Sequence, residues 1–183
     1  MVSRFLQVTS HWSHVAPPRR VAWLFVIGGI GLGALATSGF HPRPLVIWNA
    51  SGSMPLGLYI ISTPVAVRTG DVVVARLPAG WRKFASQRRY IPSTVPILKR
   101  VAAMTGDAVC AQGAIVTING REVARRRLED GQGRSLPWWR GCMVIPKGGL
   151  FLLAQNAGSF DGRYLGPSRQ QDLIGKARPI WTF

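Results

Sequence analysis

Residues 97–120 read ILKRVAAMTGDAVCAQGAIVTING, and this stretch decides the fold class. Short apolar runs are separated by a Gly-Asp pair, and the last run ends at Asn119-Gly120. An Asn-Gly pair is a strong signal for a β-hairpin because both residues accept positive φ. We therefore predict strands over residues 97–104 and 115–118, with tight turns between neighbouring strands.

The same pattern continues on both sides of this stretch. Short apolar runs punctuated by Gly, Pro, Ser or Asn lie at residues 58–61, 72–77, 143–145, 150–154 and 173–181. Many short strands with such punctuation predict a mainly β domain, antiparallel and of barrel or folded-sheet type. Two basic, tryptophan-containing stretches interrupt the pattern, and we predict that residues 78–96 and 125–140 are exposed excursions from the sheet.

The amino-terminal region predicts a membrane anchor. Residues 21–40 are 20 residues without a charge, and a helix of that length spans roughly 30 Å, the thickness of the hydrocarbon core. Arg19 and Arg20 precede the run, which predicts a cytoplasmic amino terminus. The alternative is a cleaved secretory signal, whose apolar core is shorter, about 7–15 residues. We favour a basic cytoplasmic tail at 1–20, a single transmembrane anchor at 21–40 in the bacterial inner membrane, and a periplasmic β-rich domain at 41–183.

The charge and the tryptophans raise a question about partners. The 183 residues fit one domain, and 23 basic against 7 acidic residues give a net charge of +16. Such a surface suits either nucleic acid or anionic lipid headgroups, and the anchor favours the lipid bilayer over nucleic acid. We predict that indoles seat the domain on the headgroups, with core packing as the alternative for each of Trp48, Trp81, Trp138 and Trp139.

The cysteine count limits the kinds of cysteine site that the chain is able to form. Cys110 and Cys142 are the only two cysteines, which excludes a disulfide-dense scaffold and a cysteine-based zinc finger. Both lie in the predicted exported part, so we predict a disulfide between them. The alternative is a pair of buried apolar thiols.

The segment Ser51-Gly52-Ser53-Met54-Pro55 offers a candidate nucleophile, which needs an activating base. A Ser-His-Asp triad is nearly excluded, because the three histidines, His11, His14 and His41, lie in the cytoplasmic tail or at the membrane boundary. The other known activator of serine is a neutral lysine.

Lys99 lies inside a predicted strand, whereas Lys83 lies in a polar loop and Lys147 in a Pro-Lys-Gly-Gly turn. With a period of two, Ile97, Lys99 and Val101 share one face. Desolvation between two apolar neighbours lowers the pKa of an ammonium, as a general base requires. The alternative is an edge-strand lysine that extends its amine to solvent.

A polar loop follows the predicted strand at 150–154. Asp161 and Arg163 are two residues apart, so in an extended chain they project to the same side and are able to pair. Ser159 would then be placed to orient the lysine. The alternative is an ordinary polar turn.

Three segments together resemble the type I signal peptidase family. Residues 51–59 (SGSMPLGLY), 98–107 (LKRVAAMTGD) and 159–167 (SFDGRYLGP) look like three boxes of that family, in the family's order. The first and third are similar to the TraF-type branch, the conjugative-transfer signal peptidases. The chain departs from the family in its long basic tail and in the insert around 125–140.

The resemblance implies a Ser/Lys peptidase on a signal-peptidase-like β fold that faces the periplasm and uses no cofactor and no metal. Ser53 would be the nucleophile and Lys99 the general base, and the oxyanion donors would be the backbone N–H of Ser53 and the hydroxyl of Ser51. Base orientation and loop support would fall to Ser159, Asp161 and Arg163.

The predicted function is the processing of exported pre-proteins, in particular a conjugative pilin precursor, with hydrolysis and cyclisation both open. Two alternatives remain: a non-catalytic membrane-tethered protein that binds nucleic acid or assembles pili, and a general signal peptidase. The sequence makes no prediction about the oligomeric state.

Overall fold

A computed structural model describes residues 19–38, 46–63 and 66–183. The chain divides into two compact units, Met1–Pro42 and Arg43–Phe183. Most of the predicted basic tail lies outside the described residues, as do all three histidines.

The first unit contains the helix α1, over Arg19–Ser38. Within the ranges that the structure describes, no helix is both long enough and apolar enough to cross a membrane. The predicted anchor at residues 21–40 is therefore not confirmed and stays a prediction.

The second unit is built from two antiparallel sheets. The seven-stranded sheet has the order β1-β2-β11-β3-β4-β9-β10, and the four-stranded sheet has the order β7-β6-β5-β8. The strands are β1 (Val46–Asn49), β2 (Gly57–Ser62), β3 (Val72–Ala75), β4 (Ile97–Met104), β5 (Ala108–Gln112), β6 (Ile115–Ile118), β7 (Arg121–Arg125), β8 (Gly141–Val144), β9 (Gly149–Leu153), β10 (Ser168–Arg169) and β11 (Leu173–Thr182). The helices of this unit are α2 (Ala79–Gln87), α3 (Gly162–Leu165) and a short 3-10 turn (Gln170–Asp172). The predicted mainly β, antiparallel class is confirmed.

Turn residues join the strands where the sequence predicts them. β4 and β6 have the predicted bounds, and the turn after β6 has φ of 49° at Asn119 and 81° at Gly120. Between β4 and β5 the chain bends at Gly106, whose φ is 94° and whose N–H donates to the carbonyl of Ile145 at 3.0 Å. This bend connects the two sheets.

β4 lies between two parts of the core. Ile97 and Val101 belong to one buried cluster, with Phe160 and Tyr164, whereas Leu98 belongs to another on the opposite face. Side chains on both faces of this strand are therefore shielded from water.

The two excursions are not simply exposed, so that prediction is wrong. Residues 78–96 contain α2, and the half-buried Trp81 and Phe84 pack against the main core cluster. In the second excursion Arg126 is 4% exposed and its guanidinium lies 4.3 Å from the ring centre of Trp138. Aromatic rings in these polar segments find apolar partners across the domain, which the local pattern does not reveal.

Three of the four tryptophans predicted to contact lipid headgroups pack against the core of the domain, which was the alternative for each. Trp81 packs edge-on against Phe84 at 5.6 Å, and the indole of Trp139 lies 6.3 Å from the ring of Phe151. Both indoles, and that of Trp138, are half-buried in the domain, and a contact of any of the four tryptophans with lipid stays a prediction. Trp48 is 53% exposed.

The predicted disulfide is confirmed. Cys110 and Cys142 are directly opposite each other on β5 and β8, and their sulfurs are bonded at 2.04 Å. The bond ties the edge strand of the smaller sheet to its neighbour.

Candidate active site

The serine segment forms a tight loop between β1 and β2, and one buried amide organises it. Asn49, 6% exposed, donates from its side chain to the carbonyls of Ser51 at 3.0 Å, Met54 at 2.9 Å and Pro55 at 3.0 Å. Its side-chain oxygen accepts from the backbone N–H of Ser51 at 3.3 Å. The loop that carries Ser53 is therefore wrapped around the Asn49 amide.

Two further contacts fix the loop to the core. The side chain of Met54 is 6% exposed and packs in a cluster with Tyr59 and Leu98. The hydroxyl of Tyr59 donates to the carbonyl of Pro55 at 2.8 Å. Gly57 ends the loop at a point where a Cβ would overlap the carbonyl oxygen of Trp181, so the loop and β11 meet closely only because this residue has no side chain.

Asn49 and Met54 were not predicted as part of the site. Asn49 ends β1, and a polar residue two positions before a Ser-Gly-Ser segment is the one sequence signal that would have suggested it. Its partners are mostly backbone carbonyls, which carry no signature in the sequence.

The hydroxyl of Ser51 is engaged within the loop. It donates to the side-chain oxygen of Asn49 at 2.9 Å, and the residue is exposed. For the predicted oxyanion role, this hydroxyl would have to rotate away from Asn49 towards the reacting carbonyl.

Lys99 lies on β4 beside the serine loop and is 2% exposed. Burial lowers its pKa from the ordinary 10.5 to about 8, with Asp161 acting in the opposite direction. No hydrogen bond or ion pair to the amine of Lys99 occurs among the described residues. The predicted desolvation of Lys99 between Ile97 and Val101 is confirmed, and the solvent-reaching alternative is wrong.

Ser53 and Lys99 line the same groove. This groove has a volume of about 500 Å³ and runs between the edge strand β1 and the chain that enters β4. The other residues along it are Ile47, Trp48, Asn49, Ala50, Ser51, Tyr90, Ile91, Pro92, Val95, Pro96, Ile97 and Leu98. A half-buried hydroxyl and a buried amine of low pKa thus face one open channel.

Ser159 lies next to the candidate nucleophile. Its hydroxyl is 3.3 Å from that of Ser53, and either group is able to donate. In the described part of the chain no hydrogen bond joins Ser159 to Lys99, so the base-orienting role of Ser159 stays a prediction.

The loop that carries Ser159 is held by the predicted pairing of Asp161 with Arg163. The guanidinium contacts both carboxylate oxygens, at 2.8 and 3.0 Å, and the two side chains are 0% and 2% exposed. Each partner also contacts Ala154, whose N–H donates to Asp161 at 2.8 Å and whose carbonyl accepts from Arg163 at 2.6 Å. The ion pair therefore joins the end of β9 to α3 and closes the loop between them.

We expect Asn49→Ala to lower kcat for peptide cleavage about a hundredfold with little change in KM, because a displaced nucleophile loop loses reactive geometry while the rest of the groove remains. Tyr59→Phe is the matched control, since it removes a single hydrogen bond from the same loop. Steady-state kinetics of the two variants test this. Equal effects of the two substitutions would show that the amide has no special role.

A serine hydroxyl on a fixed loop, beside a buried lysine of lowered pKa, defines a candidate serine-type hydrolase that needs no histidine. The chain belongs to the signal peptidase family, peptidase S26, whose family model matches residues 19–182. Membership of this family supports a serine peptidase.

Relatives with assigned names are similar over most of their length. The conjugal transfer protein TraF of Agrobacterium fabrum (strain C58) is 33% identical over 171 residues, which is 86% of this chain and 96% of the relative. A plasmid transfer protein TraF of Escherichia coli is 29% identical over 175 residues, 90% of this chain and 97% of the relative. Among solved structures, a signal peptidase I of Enterococcus faecalis V583 is 16% identical and aligns with a TM-score of 0.36, covering 61% of this chain and 97% of that one.

Proposed function

We propose that this protein is a membrane-anchored serine endopeptidase that processes an exported precursor during conjugative transfer, with Ser53 as nucleophile and Lys99 as general base. The observation that carries the proposal is the buried Lys99, whose pKa of about 8 leaves a useful neutral fraction beside the groove that Ser53 also lines. The conjugation role rests on the names of the TraF relatives.

The chemical steps follow from these groups. The neutral amine of Lys99 accepts the hydroxyl proton of Ser53 while the serine oxygen bonds to the scissile carbonyl carbon. The backbone N–H of Ser53 and the rotated hydroxyl of Ser51 donate to the oxyanion. The lysine ammonium then gives its proton to the departing amine, and an acyl-enzyme remains. Attack by water gives hydrolysis, whereas attack by the substrate's own amino terminus gives a cyclic product.

The substrate strand has a place to bind. β1 is an edge strand of the larger sheet, and its outer edge, which pairs with no strand among the described residues, is able to bind an extended peptide by strand addition. Because β1 leads directly into the serine loop, a peptide paired along it would present its carbonyls to Ser53.

The proposed anchor is the uncharged run at 21–40 behind Arg19 and Arg20, which would place the β domain in the periplasm. Exposed aromatic rings near the site suit a position at the membrane surface. Trp48, Trp181 and Phe183 are 53%, 60% and 68% exposed, and their ring centres lie 5.4–6.1 Å apart. Indole side chains prefer the lipid–water interface.

We expect a fragment that begins at Pro44 to bind vesicles containing anionic lipid, and the pair Trp48→Ser with Trp181→Ser to weaken that binding at least about tenfold, because apolar area and charge both contribute to interfacial binding. The control is Leu128→Ser, which removes a side chain that is 70% exposed outside the cluster. Co-sedimentation measures the difference. Equal binding of the two variants would show that the aromatic cluster does not contribute to lipid binding.

The test of the function is mass spectrometry of a pilin precursor from the same transfer system, co-expressed with the wild-type protein or with Ser53→Ala. We expect a processed product with wild type alone, and its mass distinguishes a linear from a cyclic form. Full processing, or full transfer function, with Ser53→Ala would favour the non-catalytic alternative. Rescue of a strain depleted of its own signal peptidase would instead indicate a general signal peptidase.

A further inference from the structure

The two excursions from the sheets bind each other. Arg88, after α2, donates to the carbonyl of Ser135 at 2.6 Å, and Arg134 donates back to the carbonyl of Arg88 at 3.0 Å. The hydroxyl of Tyr90 donates to the carboxylate of Asp130. Residues 88–90 and 130–135 therefore form one joined structure, which we call the roof.

A cavity of about 280 Å³ lies beneath the roof. Half of the residues that line it are aromatic or aliphatic, namely Tyr90, Ile91, Leu136, Phe160 and Tyr164. The other half includes Arg127, Glu129, Asp130 and Gly131. Its volume is just below the usual range of ligand pockets, roughly 300–1,000 Å³. The space suits one large side chain rather than a whole cofactor.

The cavity adjoins the groove that holds Ser53 and Lys99. Tyr90 and Ile91 line both spaces, and Phe160 of the cavity wall directly follows Ser159, whose hydroxyl is 3.3 Å from that of Ser53. A peptide lying in the groove would thus be close to the cavity, with Tyr90 and Ile91 bordering both spaces.

The charges around the cavity favour neither an anionic nor a cationic occupant. The carboxylate of Asp130 already accepts from Arg134 at 2.7 Å and from two backbone N–H groups, those of Gln132 and Arg134, at 2.9 Å each. The second carboxylate, that of Glu129, lies on the same wall as the guanidinium of Arg127. Because Asp130 is already paired with Arg134, the charges at the cavity nearly balance and favour neither a phosphate nor a free cation as the occupant.

We propose that this cavity binds a bulky apolar side chain of the polypeptide substrate, so that the basic insert at 125–140 is a specificity element. The proposal rests on the proposed peptidase function. An aliphatic or aromatic substrate side chain, at a position near the scissile bond, would fill the space between Leu136, Phe160 and Tyr164. The small side chain expected next to the scissile bond would lie in the groove itself.

The test uses the full chain in detergent and a peptide library with an alanine cleavage site and randomised flanking positions, with products read by mass spectrometry. We expect wild type to cleave peptides with leucine or phenylalanine at one flanking position roughly tenfold or more faster than those with alanine there, as a hydrophobic pocket allows. Leu136→Trp, which fills the cavity, should bring that ratio close to one. Leu136→Ala, which enlarges the cavity, should shift the preference from leucine towards the larger phenylalanine side chain.

The matched control is Leu128→Trp, because Leu128 lies in the same insert but is 70% exposed and does not line the cavity. The Leu128→Trp variant should keep the wild-type cleavage ratio. The ratio compares peptides on one preparation, so a partly unfolded variant does not alter it. Gly131→Leu is a second filling variant, since a Cβ there has no atom within 4 Å. Cleavage with no preference at any flanking position, or with a ratio unchanged in all cavity variants, would contradict the proposed side-chain pocket but not the proposed peptidase function. Absence of cleavage, or cleavage that persists in Ser53→Ala, would overturn the proposed function and the pocket with it.

Discussion

Replacement of Lys99 by methionine or arginine should abolish cleavage, as should Ser53→Ala. Methionine has no basic group, and a guanidinium stays protonated, so neither side chain is able to accept the serine proton. Lys147→Met is the matched control, because Lys147 lies in an exposed turn before β9 and should keep wild-type activity. Cleavage assays on a model peptide measure the loss. Activity in Lys99→Arg would rule out lysine as the base.

The same prediction fixes the pH dependence of the wild-type rate. Because the neutral amine is the active form, kcat/KM should rise with pH through the pKa of Lys99, at about 8, and level off above it. A histidine base would instead give a rise near 6.5. The position of the rise therefore separates the two kinds of base.

The burial of Lys99 has a cost in stability. Its folded-state pKa is below its unfolded-state pKa, so the unfolded chain binds more protons between about 8 and about 10.4, and stability should increase with pH across that window. A lowering of the pKa from 10.5 to about 8 corresponds to a loss of roughly 3 kcal/mol in the free energy of unfolding. This loss is complete at pH values below the window. Lys99→Met should therefore raise the free energy of unfolding at pH 7 while it removes activity, and urea titrations measure it. A lower free energy of unfolding in that variant would contradict the account.

Asp161→Asn should destabilise the domain by about 3–5 kcal/mol, because it leaves the guanidinium of Arg163 buried without its counter-charge. The loop that carries Ser159 would lose its support as well, so cleavage should fall even under conditions in which the variant is folded. Urea unfolding monitored by tryptophan fluorescence measures the first effect, and the peptide assay measures the second.

The matched control for this prediction is Glu122→Gln. It removes the carboxylate of an ion pair with Arg125 whose side chains are 44% and 67% exposed, and exposed pairs contribute under about 1 kcal/mol. Similar losses from Asp161→Asn and Glu122→Gln would mean that the buried pair does not hold the loop.

Features set by local pattern were predictable from the sequence. The bounds of β4 and β6 follow from short apolar runs next to Gly-Asp and Asn-Gly turns, and the burial of Lys99 follows from its alternation with Ile97 and Val101. The pairing of Asp161 with Arg163 was predicted from their spacing, although Asp161 is the N-cap of α3 and Arg163 lies within that helix rather than in an extended segment.

Features that depend on partners distant in the chain were not predictable from the sequence. The aromatic rings of α2 are half-buried because Phe160 packs against them, with the rings of Phe84 and Phe160 stacked at 5.8 Å. The placement of β11 between β2 and β3 joins segments that lie far apart in the chain. The role of Asn49 depends on three carbonyl groups, and no side-chain pattern encodes them.

The most direct test of the account is the titration of Lys99 itself. The chain has four lysines, Lys83, Lys99, Lys147 and Lys176, so lysine labelled with carbon-13 next to its amine gives few NMR signals, and Lys99→Arg identifies the one that belongs to Lys99. The account predicts that this signal titrates with a midpoint of about 8 in the folded protein. A midpoint near 10.4, the value of a free lysine, would leave the amine charged at neutral pH and would contradict its role as the base for Ser53.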